Sequence, residues 1–124
     1  MAQGRGSAGA YIAVVAMLCV VNFHVANSAV FTVGDGGGWT FSSGSWTSGK
    51  RFRAGDVLVF NYNSTVHNVV PVSGAGYKRC AAPSSANVLS SGNDRVTLSK
   101  GTNYFICSYA GHCQAGMKIA VTTA

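Results

Sequence analysis

Acidic side chains, prolines and histidines are all scarce in this sequence, and each shortage narrows what the chain can be. Three aspartates and no glutamate face nine lysines and arginines, a formal net charge of +6. That balance favours anionic partners. No aromatic-basic RNA-binding motif accompanies the charge, so nucleic acid is not expected among them. The longest apolar run, Tyr11 to Val21, falls short of the ~20 residues that a membrane-spanning helix needs. Neither an apolar tail after Met117 nor a Pro/Ser-rich stalk is present, so no lipid-anchor signal and no mucin-like extension is expected. Helical periodicity of useful length is missing beyond residue 28, and no internal repeat is visible, which leaves β structure.

What is present begins with an expected leader. Arg5 supplies a positive start, Tyr11 to Val21 an apolar centre, and Ala26-Asn27-Ser28 the small residues that a signal peptidase reads. Cleavage is expected after Ser28, so that residues 1–28 are a secretory signal and Cys19 and His24 leave with it. Residues 29–124 then suffice for one compact domain, expected to be soluble, secreted, monomeric and without a membrane anchor.

Along that domain, short runs rich in β-branched and aromatic residues alternate with Gly-rich turns. Ala29 to Val33 is one run, and Asp56 to Tyr62 (DVLVFNY) is the strongest, continuous enough for a strand buried on both faces. Val66 to Val70 resumes β character and reads with it as a hairpin or an adjacent strand. Asn87 to Leu89, Arg95 to Leu98, Tyr104 to Cys107 and Lys118 to Thr122 continue the series, with a short helical turn expected between Ser73 and Pro83. Seven to eight strands at this spacing predict an all-β, antiparallel Greek-key sandwich or barrel. Asn63-Ser64-Thr65, between two of these runs, is an N-glycosylation sequon in a chain expected to be secreted.

The chemistry is concentrated between Cys107 and Met117. Cys107, His112 and Met117 offer a thiolate, an imidazole and a thioether across two equal gaps, loosened by Gly111 and Gly116. Soft sulfur with borderline nitrogen suits copper best. A fourth donor has to come from elsewhere, and His67 is the one histidine outside the leader and this loop. A mononuclear copper site of His67, Cys107, His112 and Met117 is the working assignment. Each residue has a plainer reading: His67 as a histidine at a strand edge, Met117 as core filler, and Cys107 as the partner of Cys80 in a disulfide that leaves Cys113 free. Three cysteines remain in an oxidising compartment, where two should pair, and residue order alone does not choose the pair. If Cys107 is the ligand, a bridge between Cys80 and Cys113 closes a loop of about 30 residues and stabilises by roughly 3–4 kcal/mol in the chain-entropy model.

His67-Asn68 upstream of Cys107-x4-His112-Cys113-x3-Met117 resembles the copper-binding pattern of the phytocyanins, plant blue copper proteins of the cupredoxin superfamily. The resemblance extends over Gly38-Trp39-Thr40-Phe41, Lys50 to Asp56 and Tyr104 to Cys107, and so covers essentially all of residues 29–124. It implies a cupredoxin-like fold, His67, Cys107 and His112 as strong copper ligands, Met117 as the weak axial ligand, and a Cys80–Cys113 disulfide. Some members carry Gln at the axial position; here the residue is Met117, and Gln114 lies three residues too early to replace it. The resemblance also implies that Asn68 ties the two ligand-bearing segments together near the Cys107 sulfur.

The function expected on this basis is one-electron transfer by a single copper ion cycling between Cu(I) and Cu(II), in the apoplast or cell wall of a plant, with an unknown redox partner bound transiently. The alternative is a basic extracellular interaction or signalling protein, held to anionic wall polysaccharide or an acidic redox protein, in which the redox change is secondary. An enzyme is not expected. A polysaccharide monooxygenase requires an N-terminal histidine, a multicopper oxidase more histidines, and substrate oxidation an open coordination position. Zinc is disfavoured because Met is a poor zinc ligand and the Cys-x2–4-Cys spacing of closed zinc sites is missing.

Overall fold

The computed structural model describes residues 27–124, so nearly all of the expected leader, residues 1–28, lies outside the described residues. Six strands form two three-stranded sheets. The first contains β1 (Val30–Thr32), β2 (Val57–Asn61) and β4 (Asn93–Thr97) in the order β1-β2-β4, and the second β3 (Val70–Val72), β5 (Thr102–Ile106) and β6 (Lys118–Thr122) in the order β3-β5-β6. All pairings are antiparallel except β1 with β2, which run parallel.

The sheets enclose a core in which Trp39 meets Phe60 edge to face, with ring centroids 5.2 Å apart, and Phe60 meets Phe105 at 5.2 Å. This aromatic line carries packing from β2 in one sheet to β5 in the other. Leu58, Val59 and Phe60 are all buried, as a continuous apolar run demands of a strand covered on both sides. Alternation along β5 sends Phe105 into this core and Ile106 to the other face, where Val70, Ile106 and Cys113 form a smaller cluster. That cluster is roofed by helix α1 (Gly74–Arg79), whose first turn is capped by the Ser73 hydroxyl accepting from the Gly76 amide at 3.1 Å. Where α1 ends, Cys80 takes a left-handed conformation and bonds to Cys113.

Three expectations change in detail. Leu89 makes only a single bridge, to Val69, so the count among the described residues is six strands where seven to eight were expected. The segments around His67 are neither a hairpin nor adjacent strands, because β2 and β3 belong to different sheets. The turn between them explains the crossing. The Asn63 carbonyl accepts from the amides of both Val66 and His67, at 3.2 and 3.0 Å, and its side chain accepts from the Thr65 amide at 3.0 Å. With these groups satisfied locally, the backbone leaves the first sheet instead of folding back on β2. Residues 66–69 consequently lie outside β3, which starts at Val70.

Two local devices fix the start of the domain. Gly38 has φ +70°, and a Cβ there would lie 2.5 Å from the Asn61 carbonyl oxygen, the acceptor for the Trp39 amide. Only glycine allows that approach. Asp56, 3 % exposed, accepts from the amides of Ala29 and Arg53 at 2.9 and 2.8 Å, joining β1 to the entrance of β2.

Candidate metal centre

Sheet geometry delivers the sulfur atoms. Cys107 follows directly on β5 and Met117 directly precedes β6, and the Cys107 amide donates to the Met117 carbonyl at 3.1 Å, extending the ladder into the base of the loop. Both side chains are fully buried in the main core. Within the loop the amides of Ala115 and Met117 donate to the His112 carbonyl, at 3.1 and 3.0 Å, which holds His112 above that base.

Imidazoles arrive from the outside. His67 leaves the Asn63 turn and His112 the loop, both half-buried, with ring centroids 5.0 Å apart. Their Nδ1 atoms face each other at 3.2 Å and lie 3.9 Å (His67) and 3.5 Å (His112) from the Cys107 sulfur. Burial, and next the neighbouring His112, lower the pKa of His67 below the ordinary histidine value and favour its neutral, metal-binding form. Phe41 packs edge-on against both rings, at 4.9 Å from His112 and 5.7 Å from His67, while Tyr109 stacks on His112 at 5.7 Å.

These three donors fit one ion. Bonds of about 2.0 Å to nitrogen and 2.3 Å to sulfur in a trigonal plane separate the donors by about 3.5 and 3.7 Å, close to the spacings above. Two nitrogens, one thiolate sulfur and a buried thioether side chain at the loop's end are the donor set of a blue copper site. Among the described residues this is the only group of three or more His, Cys, Asp or Glu side chains that could hold a metal.

Asn68 connects the two halves. Its amide nitrogen donates to the Ser108 hydroxyl at 2.8 Å and its side-chain oxygen accepts from the Ser108 amide at 2.8 Å, next to Cys107. Its backbone carbonyl takes the indole N–H of Trp39 at 2.9 Å, which anchors the His67 segment to the aromatic core. Cys113 is bonded to Cys80, and Cys107 is the free cysteine among the described residues. Sequence reasoning missed the place of Phe41 over both imidazoles and the partnership of Ser108 with Asn68. Neither has a local signal, since each contact joins residues far apart in the chain.

The fold and donor set define a cupredoxin with a type 1 copper site, and comparison with known proteins narrows the class. A plastocyanin-like domain family matches residues 39–117. The chain is 61% identical over 126 residues to a chemocyanin of Lilium longiflorum, covering 100% of both chains, and 50% identical to a basic blue protein of Arabidopsis thaliana, covering 98% of each. Among solved structures it superposes on cucumber basic protein, a blue copper protein, with a TM-score of 0.75 and 56% identity, over 77% of this chain and 99% of that one. The chain belongs to the phytocyanin family of blue copper proteins.

Proposed function

We propose that this chain is made with a secretory leader, residues 1–28, and that residues 29–124 act outside the cell as a one-electron carrier. The convergence of two imidazole nitrogens on the Cys107 sulfur, at 3.5 and 3.9 Å, carries this reading. His67, Cys107 and His112 are the strong ligands in it, Met117 the weak axial one, and Asn68 the residue that orients both ligand segments. A copper ion held there supplies a single-electron couple. The residues around it contribute rigidity: Cys107 and Met117 cannot move without disturbing the core, and Asn68 locks the His67 segment to Ser108. A site filled by four side chains offers no position to a substrate, which is the argument for a carrier over an enzyme.

Electrons would leave through the His112 ring, where Ala110, Gly111, Ala115 and Gly116 let a partner approach closely. Such contacts are small and short-lived. Purified protein should bind one copper and show an intense visible thiolate-to-copper band with reversible one-electron voltammetry; a colourless copper form overturns the proposal. Met117→Gln should lower the reduction potential, because the thioether is the softer donor and favours Cu(I). An unchanged or raised potential removes Met117 from the axial position.

A second reading is favoured by the distribution of charge. Asp56 and Asp94 are buried and accept internal hydrogen bonds, whereas Arg51, Arg53, Lys78, Arg79, Arg95 and Lys100 are exposed. The outer surface is therefore more basic than the net charge conveys, and suits a monomer held on anionic wall polysaccharide or an acidic redox protein. Salt-sensitive retention on polygalacturonate supports this reading, and equal retention of a variant with these six side chains neutralised rules it out.

A further inference from the structure

The Asn63-Ser64-Thr65 sequon takes no part in metal binding, yet it lies in the turn that delivers His67. Asn63, Ser64, Thr65 and Val66 are all exposed. The Asn63 side-chain oxygen accepts from the Thr65 amide at 3.0 Å and from the Thr65 hydroxyl at 2.7 Å, which ties up its acceptor side. Its backbone carbonyl oxygen accepts from the His67 amide at 3.0 Å, so any modification at Asn63 is carried by the same turn that presents His67. Around the same end of the sandwich stand Phe41, Val66 and Tyr109, with 44%, 43% and 38% of their surfaces exposed. An apolar rim of this kind invites large partners, and a hydrophilic chain planted at its edge would restrict them.

We infer that Asn63 carries an N-linked glycan, and that this glycan filters by size which molecules reach the imidazole face of the metal centre. The inference rests on the secretory reading above. In the modification, the Asn63 amide nitrogen bonds to the anomeric carbon of a polyprenyl-diphosphate-linked oligosaccharide. The diphosphate leaves with the lipid, the amide gives up one proton, and no oxidation state changes. Because the glycan attaches through nitrogen, the side-chain oxygen remains free to hold the Thr65 amide and hydroxyl.

The test uses the full chain expressed in plant cells, with Asn63→Asp, which keeps the oxygen acceptor, and Thr65→Ala, which keeps the asparagine. Protein recovered from the medium should be heavier than either variant by one oligosaccharide, and peptide mapping should place that mass on Asn63. An unmodified Asn63 in secreted protein overturns the inference while leaving secretion intact. Full-length chain retained in the cells with residues 1–28 attached overturns the secretory reading, and the inference with it. Copper-loaded glycoprotein should exchange electrons with hexacyanoferrate as fast as the charge-neutral Thr65→Ala variant does, and several-fold more slowly with cytochrome c. Equal rates with cytochrome c would refute the filter.

Discussion

The two halves of the metal centre are built by different means. Cys107 and Met117 are fully buried members of the main core, placed by the pairing of β5 with β6. His67 and His112 are half-buried and are placed by turns, by the Asn68–Ser108 hydrogen bonds and by the rings of Phe41 and Tyr109. Sheet packing thus sets the sulfur half with the rigidity of a close-packed interior, and local polar contacts set the imidazole half at the surface. Rigidity and access, which compete at any single atom, are assigned to different members of one cluster of side chains.

The contrast can be broken most completely from the sulfur side. Cys107→Ser should abolish the visible charge-transfer band entirely while circular dichroism still reports a β-sheet protein; colour that persists would mean that another sulfur binds the metal. Replacing Cys80 and Cys113 together by serine should lower unfolding free energy by about 2–5 kcal/mol in denaturant titrations. The visible spectrum of the folded variant should change little, since the core, and not the bridge, locates Cys107. A spectrum lost along with the disulfide would contradict that division of labour.

Asn68→Ala attacks the link between the halves. It leaves the Ser108 hydroxyl and amide without their partner, at a cost of about 1–3 kcal/mol, and should shift the absorption maximum as the His67 segment loosens. A variant as stable as the parent, with the same spectrum, would show that the link is dispensable.

The smallest effect is a pH dependence beneath the imidazole half. Tyr62, just before the Asn63 turn, donates its hydroxyl to Asp94 and to the Leu89 carbonyl, and burial followed by the Asp94 hydrogen bond pushes its pKa up to about 12. The folded state therefore holds this proton more tightly than the unfolded chain does. Its contribution to stability is complete below the ordinary tyrosine value of 10.0 and is lost as the pH rises through about 12. Alkaline titration of phenolate absorbance should show one tyrosine ionising near pH 12, with that step missing in Tyr62→Phe.

Much of the site is legible in the sequence because its donors are local or scarce. Cys107, His112 and Met117 fall within one loop, and His67 stands out because the chain has so few histidines. The strongest strand is legible for a similar reason, its apolar run being continuous from Val57 to Phe60. What escapes is set by distant partners. Nothing near Val66 announces that β3 joins the other sheet; that follows from the Asn63 carbonyl collecting two amides and from β5 offering an edge. Asp56 reads only as the first residue of the strongest strand until the Ala29 amide, 27 positions away, is seen to end on its carboxylate. Phe41 likewise gains its meaning only when two histidines from separate segments arrive beneath it.

The hydrogen bond from the Cys107 amide to the Met117 carbonyl has an evolutionary corollary. It closes the loop at its base, directly above the first rung between Ile106 and Lys118, so the sandwich registers only where the loop departs and returns. Between Ser108 and Gly116, the residues other than Ser108, His112 and Cys113 can vary without disturbing strand register, provided the donors at the base are kept. Selection can therefore retune the exposed part of such a protein by editing one short stretch of the gene, leaving the inherited scaffold untouched.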